Sequence, residues 1–264
     1  LEKPFAEGRA FERASFFECL SSKQSQGMIH AFFAERASAK VPEASRAKPR
    51  KLESLGVVGG GTMGAGITVA ALDSGLPVTM IERDAESIAR GRANVEKVYD
   101  RLVAKGRKTE NQKSAVMALY SGSTDYNDLS NVDMVIEAVF ERLDVKREVF
   151  EQLDKVMKPE AVLASNTSYI DIDLISSATS RPSQVVGLHF FSPANIMKLL
   201  EIVVPKGAAD DAVATGFALA KRMRKVPVRA GNSGGFIGNR ILGKYGICAA
   251  HMMEDGASPY DIDD

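Results

Sequence analysis

Tryptophan is absent from this chain of 264 residues, and cysteine and histidine are scarce, with two and three residues. The cysteines, Cys19 and Cys248, lie far apart and lack the close spacing of metal-binding cysteines, so we expect reduced thiols and no metal site. An excess of either charge is also missing, because 34 basic residues balance 34 acidic ones. This balance argues against a nucleic-acid partner and against an anionic membrane surface.

An apolar segment with a cleavage site is also missing after the N-terminus, so the sequence gives no indication of export. The uncharged run 54–72 contains six glycines and ends before Asp73, so it predicts a buried strand and helix and no membrane span. The chain begins with Leu1 and has no initiator methionine, which indicates a piece excised from a longer protein. Its 45% hydrophobic and 26% charged residues suit a folded chain with one or two cores.

A glycine fingerprint, Gly59-x-Gly61-x-x-Gly64, follows an apolar strand and opens an apolar helical segment. Gly59 lets the chain turn off the strand, Gly61 leaves space for a pyrophosphate, and Gly64 brings the helix close to the sheet. A second strand then ends in an acidic residue, Glu82. The complete order of strand, turn, helix, strand and terminal acid predicts a dinucleotide-binding unit. The glycines alone would not be enough for this prediction.

The cofactor predicted for this unit is NAD. The helix beginning near Thr62 and Met63 directs its free N–H groups and positive dipole end at the phosphates. Glu82 is expected to accept hydrogen bonds from the adenosine ribose and to repel the 2′-phosphate of NADP. Arg83 is the one feature that favours NADP, because an arginine there can pair with that phosphate.

The chain divides into three predicted regions: a helical linker over 1–53, a nucleotide-binding domain over 54–231, and the beginning of a C-terminal helical domain over 232–264. Alternating strands and helices predict an α/β, Rossmann-type, doubly wound and mostly parallel sheet. Between Asp84 and Tyr120, two helical segments split near Gly106 predict a protruding helical arm. The predicted strands lie near 55–58, 78–82, 132–137, 162–164, 185–188, 199–204 and 226–228.

Polar residues follow several of these strands, at the sheet edge where α/β proteins bind ligands. They are Glu141, the segment Ser165–Ser168, His189 and Glu201. Only ten residues separate 185–188 from 199–204, too few for a parallel crossover, so the later strand is expected to run antiparallel. His189 and Glu201 would then share one edge and form a general-base dyad, although a structural histidine and a capping glutamate are the commoner readings of such residues.

Five ordered motifs resemble those of L-3-hydroxyacyl-CoA dehydrogenases, over about residues 54–260. They are Ile136-Glu-Ala-Val-Phe-Glu141, Ser165-Asn-Thr-Ser168, Gly187-Leu-His-Phe-Phe-Ser-Pro193, Met197-Lys-Leu-Leu-Glu201 and Gly235-Phe-Ile-Gly-Asn-Arg240. The first 50 residues resemble the linker of multifunctional fatty-acid oxidation proteins. The resemblance therefore implies a fragment of a bifunctional enoyl-CoA hydratase and 3-hydroxyacyl-CoA dehydrogenase, acting in β-oxidation.

The resemblance also implies roles for single residues. His189 would be the general base and Glu201 its partner, with Ser168 hydrogen-bonding the substrate's 3-oxygen and Asn239 completing the polar cluster that orients the substrate. The residues that would contact the nicotinamide half of NAD are Glu141, Lys146 and Asn166. Taken without the family, Lys146 would be a solvated lysine of a first helical turn and Glu141 a helix-start carboxylate. Ser192 stands where the family usually has asparagine, which puts that cofactor or substrate contact in doubt.

The implied substrate is a (3S)-3-hydroxyacyl-CoA, and the complete protein would form a homodimer through its C-terminal domain. Two rival functions stay open: a truncated NAD-binding module without turnover, because most of the C-terminal domain is missing, and a related dehydrogenase of a free 3-hydroxy acid. A bacterial cytoplasm is the expected compartment, with a peroxisome-like organelle as the alternative.

Overall fold

The structure, a computed structural model, describes residues 4–263 and divides into two compact units, the first ending at Lys40 and the second starting at Val41. The helices are α1 (Phe5–Ser21), α2 (Lys23–Ser38), α3 (Pro42–Arg46), α4 (Thr62–Asp73), α5 (Ala85–Ala104), α6 (Glu110–Met117), α7 (Leu143–Val156), α8 (Ile172–Ser176), α9 (Asp210–Arg222), α10 (Gly238–Glu254) and α11 (Pro259–Asp263). The strands are β1 (Leu55–Val58), β2 (Val78–Ile81), β3 (Tyr120–Ser123), β4 (Met134–Glu137), β5 (Val162–Ser165), β6 (Val185–Phe190), β7 (Leu199–Val204) and β8 (Val226–Gly231). None of the helices in this described part is long and apolar enough to cross a membrane.

The first unit consists of α1 and α2, two helices within the region predicted as a helical linker. Ser22 separates them and caps α2, because its hydroxyl accepts a hydrogen bond from the backbone N–H of Ser25 at 3.1 Å. Neither helix contains a buried residue, although both carry exposed phenylalanines such as Phe16 and Phe32. The apolar side chains of this unit therefore build no enclosed core.

The second unit begins with residues 41–53, the last part of the helical linker predicted over 1–53, and these residues pack onto the sheet domain. Arg50 holds Asp211 of α9 through two hydrogen bonds of 2.9 and 3.0 Å, and its backbone N–H donates to the Thr215 hydroxyl. Glu43 of α3 pairs with Arg229 of β8. The domain limits predicted at 53 and 231 stay predictions, but residues 41–53 belong by their contacts to the unit that follows.

The second unit is built on one sheet, which in the described residues has the strand order β3-β2-β1-β4-β5-β6-β7-β8. Neighbouring strands run parallel except β6 and β7, which are antiparallel as predicted. The order reverses between β1 and β4, and that reversal opens the crevice where α/β sheets bind ligands. The mostly parallel, doubly wound fold expected from the alternation of strands and helices is confirmed.

Two strand predictions were wrong in detail. Strand β3 was missed because its residues, Tyr-Ser-Gly-Ser, carry little apolar signal; it is an edge strand that pairs only with β2. Strand β6 runs to Phe190, so His189 lies inside the strand and not after it. Its pairing with β7 causes the extension, and it sets His189 directly opposite Glu201.

The helical excursion between β2 and β3 contains α5 and α6, split at Gly106 as predicted. It is anchored to the body of the domain, because α5 buries Val95 and Tyr99 in the main core beside α4. The Tyr99 hydroxyl lies 3.4 Å from the carbonyl of Val69 on α4. The charged side chains of α5 occupy the opposite, exposed face.

The C-terminal part starts a new helix at the predicted place. Helix α10 spans Gly238–Glu254, within the C-terminal helical region predicted over 232–264, and none of its residues is buried. Large apolar side chains, including Ile241, Leu242 and Tyr245, stand exposed on it. Only its N-terminus touches the polar site described below.

Candidate active site

The turn after β1 forms a tight cradle. Gly59 has φ +103°, and a Cβ on it would lie 2.7 Å from the carbonyl oxygen of Ala138. A Cβ on Gly64 would lie 1.8 Å from the Gly59 oxygen, so only glycine lets α4 start this close to the strand. A Cβ on Gly61 would meet nothing within 4 Å, which leaves open space in front of the turn for a ligand. These positions fit a dinucleotide whose phosphates approach the backbone closely.

The first turn of α4 faces that space. Gly61 is its N-cap, and no side chain caps the helix. The leading N–H groups, at Thr62 and Met63, are therefore free to bind an anion, with the helix dipole favouring negative charge. This arrangement agrees with the phosphate site predicted from the sequence.

Glu82 lies at the end of β2, where a ribose-binding acid was predicted. Its Oε1 accepts a hydrogen bond from the Gly60 N–H at 2.7 Å, so the side chain also braces the glycine turn. Arg83, the feature that favoured NADP, pairs through Nε with Asp84 Oδ2 at 2.9 Å. Its charge is thus partly balanced by a neighbour, which strengthens the case for NAD.

A pocket of about 720 Å³ opens beside this cradle, at the carboxyl ends of β1, β2 and β4. Of the predicted cofactor residues, Gly59, Gly61, Thr62, Met63 and Glu82 line it, whereas Gly64 is buried beneath the turn. Sequence reasoning missed the other side of the pocket, which includes Thr124, Tyr126, Val139, Phe140 and Gln152. Thr124 and Tyr126 follow β3, and a correct assignment of that strand would have pointed to them.

The side chains of His189 and Glu201 meet across β6 and β7. His189 Nδ1 lies 2.7 Å from Glu201 Oε2, and both residues are buried, with exposures of 3% and 1%. A carboxylate only accepts hydrogen bonds, so Nδ1 is the donor of this bond, and in the neutral imidazole this leaves the lone pair on Nε2. Within residues 4–263, Nε2 has no hydrogen-bond partner. The pair therefore has the geometry of an oriented general base.

The N-terminus of α10 completes this dyad, a contact that sequence reasoning missed. The N–H groups of Gly238 and Ile237 donate to Glu201 Oε1 at 2.7 and 3.2 Å. Phe191 and Phe236 flank the imidazole, with ring centroids at 4.5 and 5.5 Å. The imidazole is thus held by one carboxylate and two aromatic rings.

The segment after β5 carries Ser168 and is joined to the end of β6. Asn166 Oδ1 accepts a hydrogen bond from the backbone N–H of Phe190, next to His189, at 2.9 Å. The Ser168 N–H donates to Glu141 Oε1 at 2.8 Å, and its half-buried side chain makes no hydrogen bond within the described residues. The Ser168 hydroxyl is therefore free to bind a ligand oxygen.

Beside this segment, buried Lys146 pairs with the partly exposed Glu141. Lys146 is only 1% exposed, so the reading of a solvated lysine is wrong. Its Nζ lies 2.7 Å from Glu137 Oε1 and 3.3 Å from Glu141 Oε2. Burial acts to raise the pKa of Glu141, but the Thr167 hydroxyl, the Lys146 charge and two backbone N–H groups outweigh it, and the pKa is lowered. Glu137 was missed, and its only signal was an acid at the end of an apolar strand.

The two remaining predicted residues flank the dyad without contacting it through a hydrogen bond. Ser192 is exposed in the loop after β6 and precedes a cis peptide bond to Pro193. Asn239 is half-buried and follows Gly238, whose N–H binds Glu201. Nothing in the structure assigns Ser192 a partner. The loop after β6 is held by Lys225, whose Nζ donates to the carbonyls of Ala194 and Met197 and whose pKa burial lowers.

Comparison with known proteins agrees with this site. A peroxisomal bifunctional enzyme of Cavia porcellus is 39% identical over 269 residues, which cover the whole of this chain and 37% of that protein. A peroxisomal fatty acid beta-oxidation multifunctional protein of Arabidopsis thaliana is 40% identical over 255 residues, 96% of this chain and 35% of that protein. The crystal structure of (S)-3-hydroxybutyryl-CoA dehydrogenase from Ralstonia eutropha matches with a TM-score of 0.77 and 37% identity, over 80% of this chain and 75% of that chain.

The chain thus spans little more than a third of the length of the curated relatives it matches. Residues 54–233 match the family described as 3-hydroxyacyl-CoA dehydrogenase, NAD binding domain. This match confirms the resemblance seen in the five motifs and confirms NAD as the cofactor. The chain belongs to the 3-hydroxyacyl-CoA dehydrogenase family and contains its NAD-binding domain.

Proposed function

We propose that this chain carries the site at which a (3S)-3-hydroxyacyl-CoA is oxidised to a 3-ketoacyl-CoA with reduction of NAD. The observation that carries the proposal is the buried dyad of His189 and Glu201, in which Nδ1 lies 2.7 Å from Oε2 and Nε2 has no hydrogen-bond partner in the described part of the chain. The dyad lies on the sheet that also forms the NAD cradle, at the strand ends where such sheets bind ligands. The printed names of the relatives support the same reaction class.

In this proposal Nε2 of His189 takes the proton of the substrate's 3-hydroxyl group. Glu201 stabilises the imidazolium that forms and keeps the ring turned toward the substrate. The two N–H groups of α10 hold Glu201 in place for this task. Bound NAD supplies the acceptor for the hydride that leaves C3, so the alcohol loses one proton and one hydride and becomes a ketone.

The other predicted site residues bind or orient. Ser168 donates a hydrogen bond to the 3-oxygen, Asn239 helps to orient the substrate, and Asn166 keeps the Ser168 segment beside β6. The cradle of Gly59, Gly61 and the α4 N-terminus holds the pyrophosphate, and Glu82 holds the adenosine ribose. Glu141, Lys146 and Asn166 are the proposed contacts of the nicotinamide half, and Ser192 stays a predicted contact.

The whole-protein setting is part of the same proposal. The names of the curated relatives favour a β-oxidation multifunctional enzyme and, of the two expected compartments, the peroxisome. The bacterial cytoplasm, the first expectation, stays an untested prediction. So does homodimerisation through a C-terminal domain, for which the exposed apolar side chains of α10 leave a surface.

The test is consumption of NADH by this chain with acetoacetyl-CoA and, separately, with acetoacetate, while NADH binding is followed by its fluorescence. We expect turnover with the thioester only. Equal rates with the free acid would favour the dehydrogenase of a free 3-hydroxy acid. Binding without turnover of either compound would favour the noncatalytic module for this chain.

A further inference from the structure

Glu137 and Lys146 form a buried charged pair that the proposed proton transfer does not use. Glu137 is the last residue of β4 and is fully buried, and Lys146 lies in the first turn of α7. Charged side chains are costly to bury unless each is paired and hydrogen-bonded. The position of this pair beneath the Ser168 segment suggests what it does.

Both oxygens of Glu137 are occupied. Oε1 accepts from Lys146 Nζ at 2.7 Å and from the Val139 N–H at 2.8 Å. Oε2 accepts from the Ser165 hydroxyl at 2.6 Å. One carboxylate therefore joins β4, α7 and the end of β5.

Lys146 connects Glu137 to Glu141, because its ammonium group contacts both carboxylates. Its Nζ lies 3.3 Å from Glu141 Oε2, and Glu141 Oε1 accepts from the N–H groups of Ser168 and Tyr169 at 2.8 and 3.1 Å. The Thr167 hydroxyl donates to the same oxygen. The Lys146 ammonium group thus pairs with two carboxylates. Glu137 is buried in the sheet, and Glu141 accepts a hydrogen bond from the backbone N–H of Ser168.

We propose that Glu137 is a positioning residue of the dehydrogenase site: through Lys146 and Glu141 it holds the segment 165–169, and so sets where Ser168 stands. This inference rests on the proposed function, in which Ser168 orients the 3-oxygen. A shift of about 1 Å in such a group can cost about 10²-fold in rate. Glu137 itself need touch neither substrate nor cofactor.

Glu137→Gln is the decisive variant, because glutamine keeps the volume and can still accept from Val139 or Ser165. It removes the charge that holds Lys146 and leaves Glu141 as the only carboxylate partner of the ammonium. The matched control is Asp154→Asn, which neutralises a carboxylate at the other end of α7 that pairs with Arg181 at 3.0 Å. Both variants remove a partly or fully buried ion pair, but only the first lies on the path to Ser168.

Amide hydrogen exchange tests the inference without any need for activity. In Glu137→Gln we expect the Ser168 and Tyr169 amides to exchange about 10-fold faster or more, with β1 and β2 unchanged and Asp154→Asn resembling the wild type at 165–169. Unchanged exchange at Ser168 and Tyr169 would overturn the inference. So would a uniform rise across the sheet, which is the mark of lost stability alone.

Kinetics with acetoacetyl-CoA give the second readout. We expect kcat of Glu137→Gln to fall about 10- to 100-fold while the NADH Kd changes less than about threefold. Adding Glu137→Gln to Ser168→Ala should lower kcat little further, because both changes act through one group, whereas additive losses would contradict the inference. A wild type without turnover would refute the proposed function and leave the exchange result to decide the role of Glu137.

Should Glu137→Gln fail to fold, Ser165→Ala removes the hydrogen bond to Glu137 Oε2 together with the one that the Ser165 hydroxyl accepts from the Thr167 N–H at 3.2 Å. We expect it to raise exchange at Ser168 and Tyr169 in the same direction but by less, about two- to fivefold. Wild-type exchange at both amides in that variant would overturn the inference.

Discussion

The two units of this chain use apolar side chains in opposite ways. In α1 and α2 phenylalanines are plentiful, yet no residue is buried, and Phe16 is 59% exposed beside a groove of about 810 Å³ between the helices. In the sheet unit, Phe150 and Tyr99 have no exposed surface. The comparison teaches that apolar content does not make a core: a sheet covered by helices on both faces encloses side chains, and two helices alone do not.

The chemistry follows the same division. Each predicted site residue lies in the unit that starts at Val41. In that unit, buried strand ends hold polar groups of the site, such as those of His189 and Glu201. Short isolated helices are marginally stable in water because nucleation is costly and little surface is buried. The predictions below test whether stability and chemistry both reside in the second unit.

The largest effect is expected from His189→Gln, compared with His30→Gln on the exposed helix α2. Removing the base should lower kcat for acetoacetyl-CoA reduction about 10²- to 10⁴-fold with NADH binding retained. His30→Gln should leave turnover unchanged. Steady-state kinetics measure kcat and NADH fluorescence measures cofactor binding in both variants. Equal kcat values in the two variants would show that His189 is not the general base.

The next effect is on stability, from Phe150→Ala against Phe16→Ala. Phe150 is fully buried, so its truncation should cost about 3–5 kcal/mol of unfolding free energy. Phe16 is exposed, and its truncation should change the free energy by about 0.5 kcal/mol or less. Urea unfolding followed by circular dichroism measures both losses of unfolding free energy. A loss in Phe16→Ala close to that in Phe150→Ala would contradict the difference between the two units.

Cofactor binding should respond to Glu82→Gln and not to Glu18→Gln in α1. The Glu82 carboxylate braces the Gly60 N–H at 2.7 Å and is placed to receive the ribose. Hydrogen bonds to charged groups contribute about 1.5–3 kcal/mol, so we expect the NADH Kd to rise about tenfold or more. Titration of NADH fluorescence tests this, with an unchanged Kd in Glu82→Gln as the contrary result.

The smallest effect concerns Asp211→Asn, which removes the ion pair between Arg50 and Asp211 of α9 and leaves the bond from the Arg50 N–H to Thr215 in place. The hydrogen bonds of Arg50 lower the pKa of Asp211, so the folded state favours the charged form. Its contribution is present above the ordinary value of 3.8 and is lost as the pH falls through the lower folded value. Because Asp211 is partly exposed, we expect a loss of about 1 kcal/mol or less near neutral pH.

Unfolding curves of Asp211→Asn and the wild type, recorded from about pH 7 down to about pH 3, check this sign. The two curves should approach each other as the pH falls. A difference that widens in acid would contradict the assignment of the linker contact.

Several elements were predictable because local patterns carried them. The fingerprint around Gly59 and the acid at Glu82 stand in one strand, helix and strand unit, and the structure places them side by side. The short interval between β6 and β7 excluded a parallel crossover, and so the pairing of His189 with Glu201 was foreseen. Each of these predictions spans few residues and depends on chain geometry alone.

Other elements could not be read from local pattern. Strand β3 exists because β2 offers an edge to pair with, and its own residues carry no strand signal. The burial of Lys146 depends on Glu137, nine residues away on a neighbouring element. The bond from Gly238 to Glu201 joins groups 37 residues apart.

The sequence by itself determined the α/β class, the NAD fingerprint, the family motifs and the identity of the dyad. These depend on residue type, spacing and the direction in which consecutive strands can run. Only the tertiary structure decided that His189 lies within its strand, that α10 holds Glu201, and that Glu137 and Lys146 lie buried under Ser168. The physical reason is that burial and hydrogen-bond pairing are properties of groups brought together by the fold, and groups far apart in sequence acquire them only once the sheet has formed.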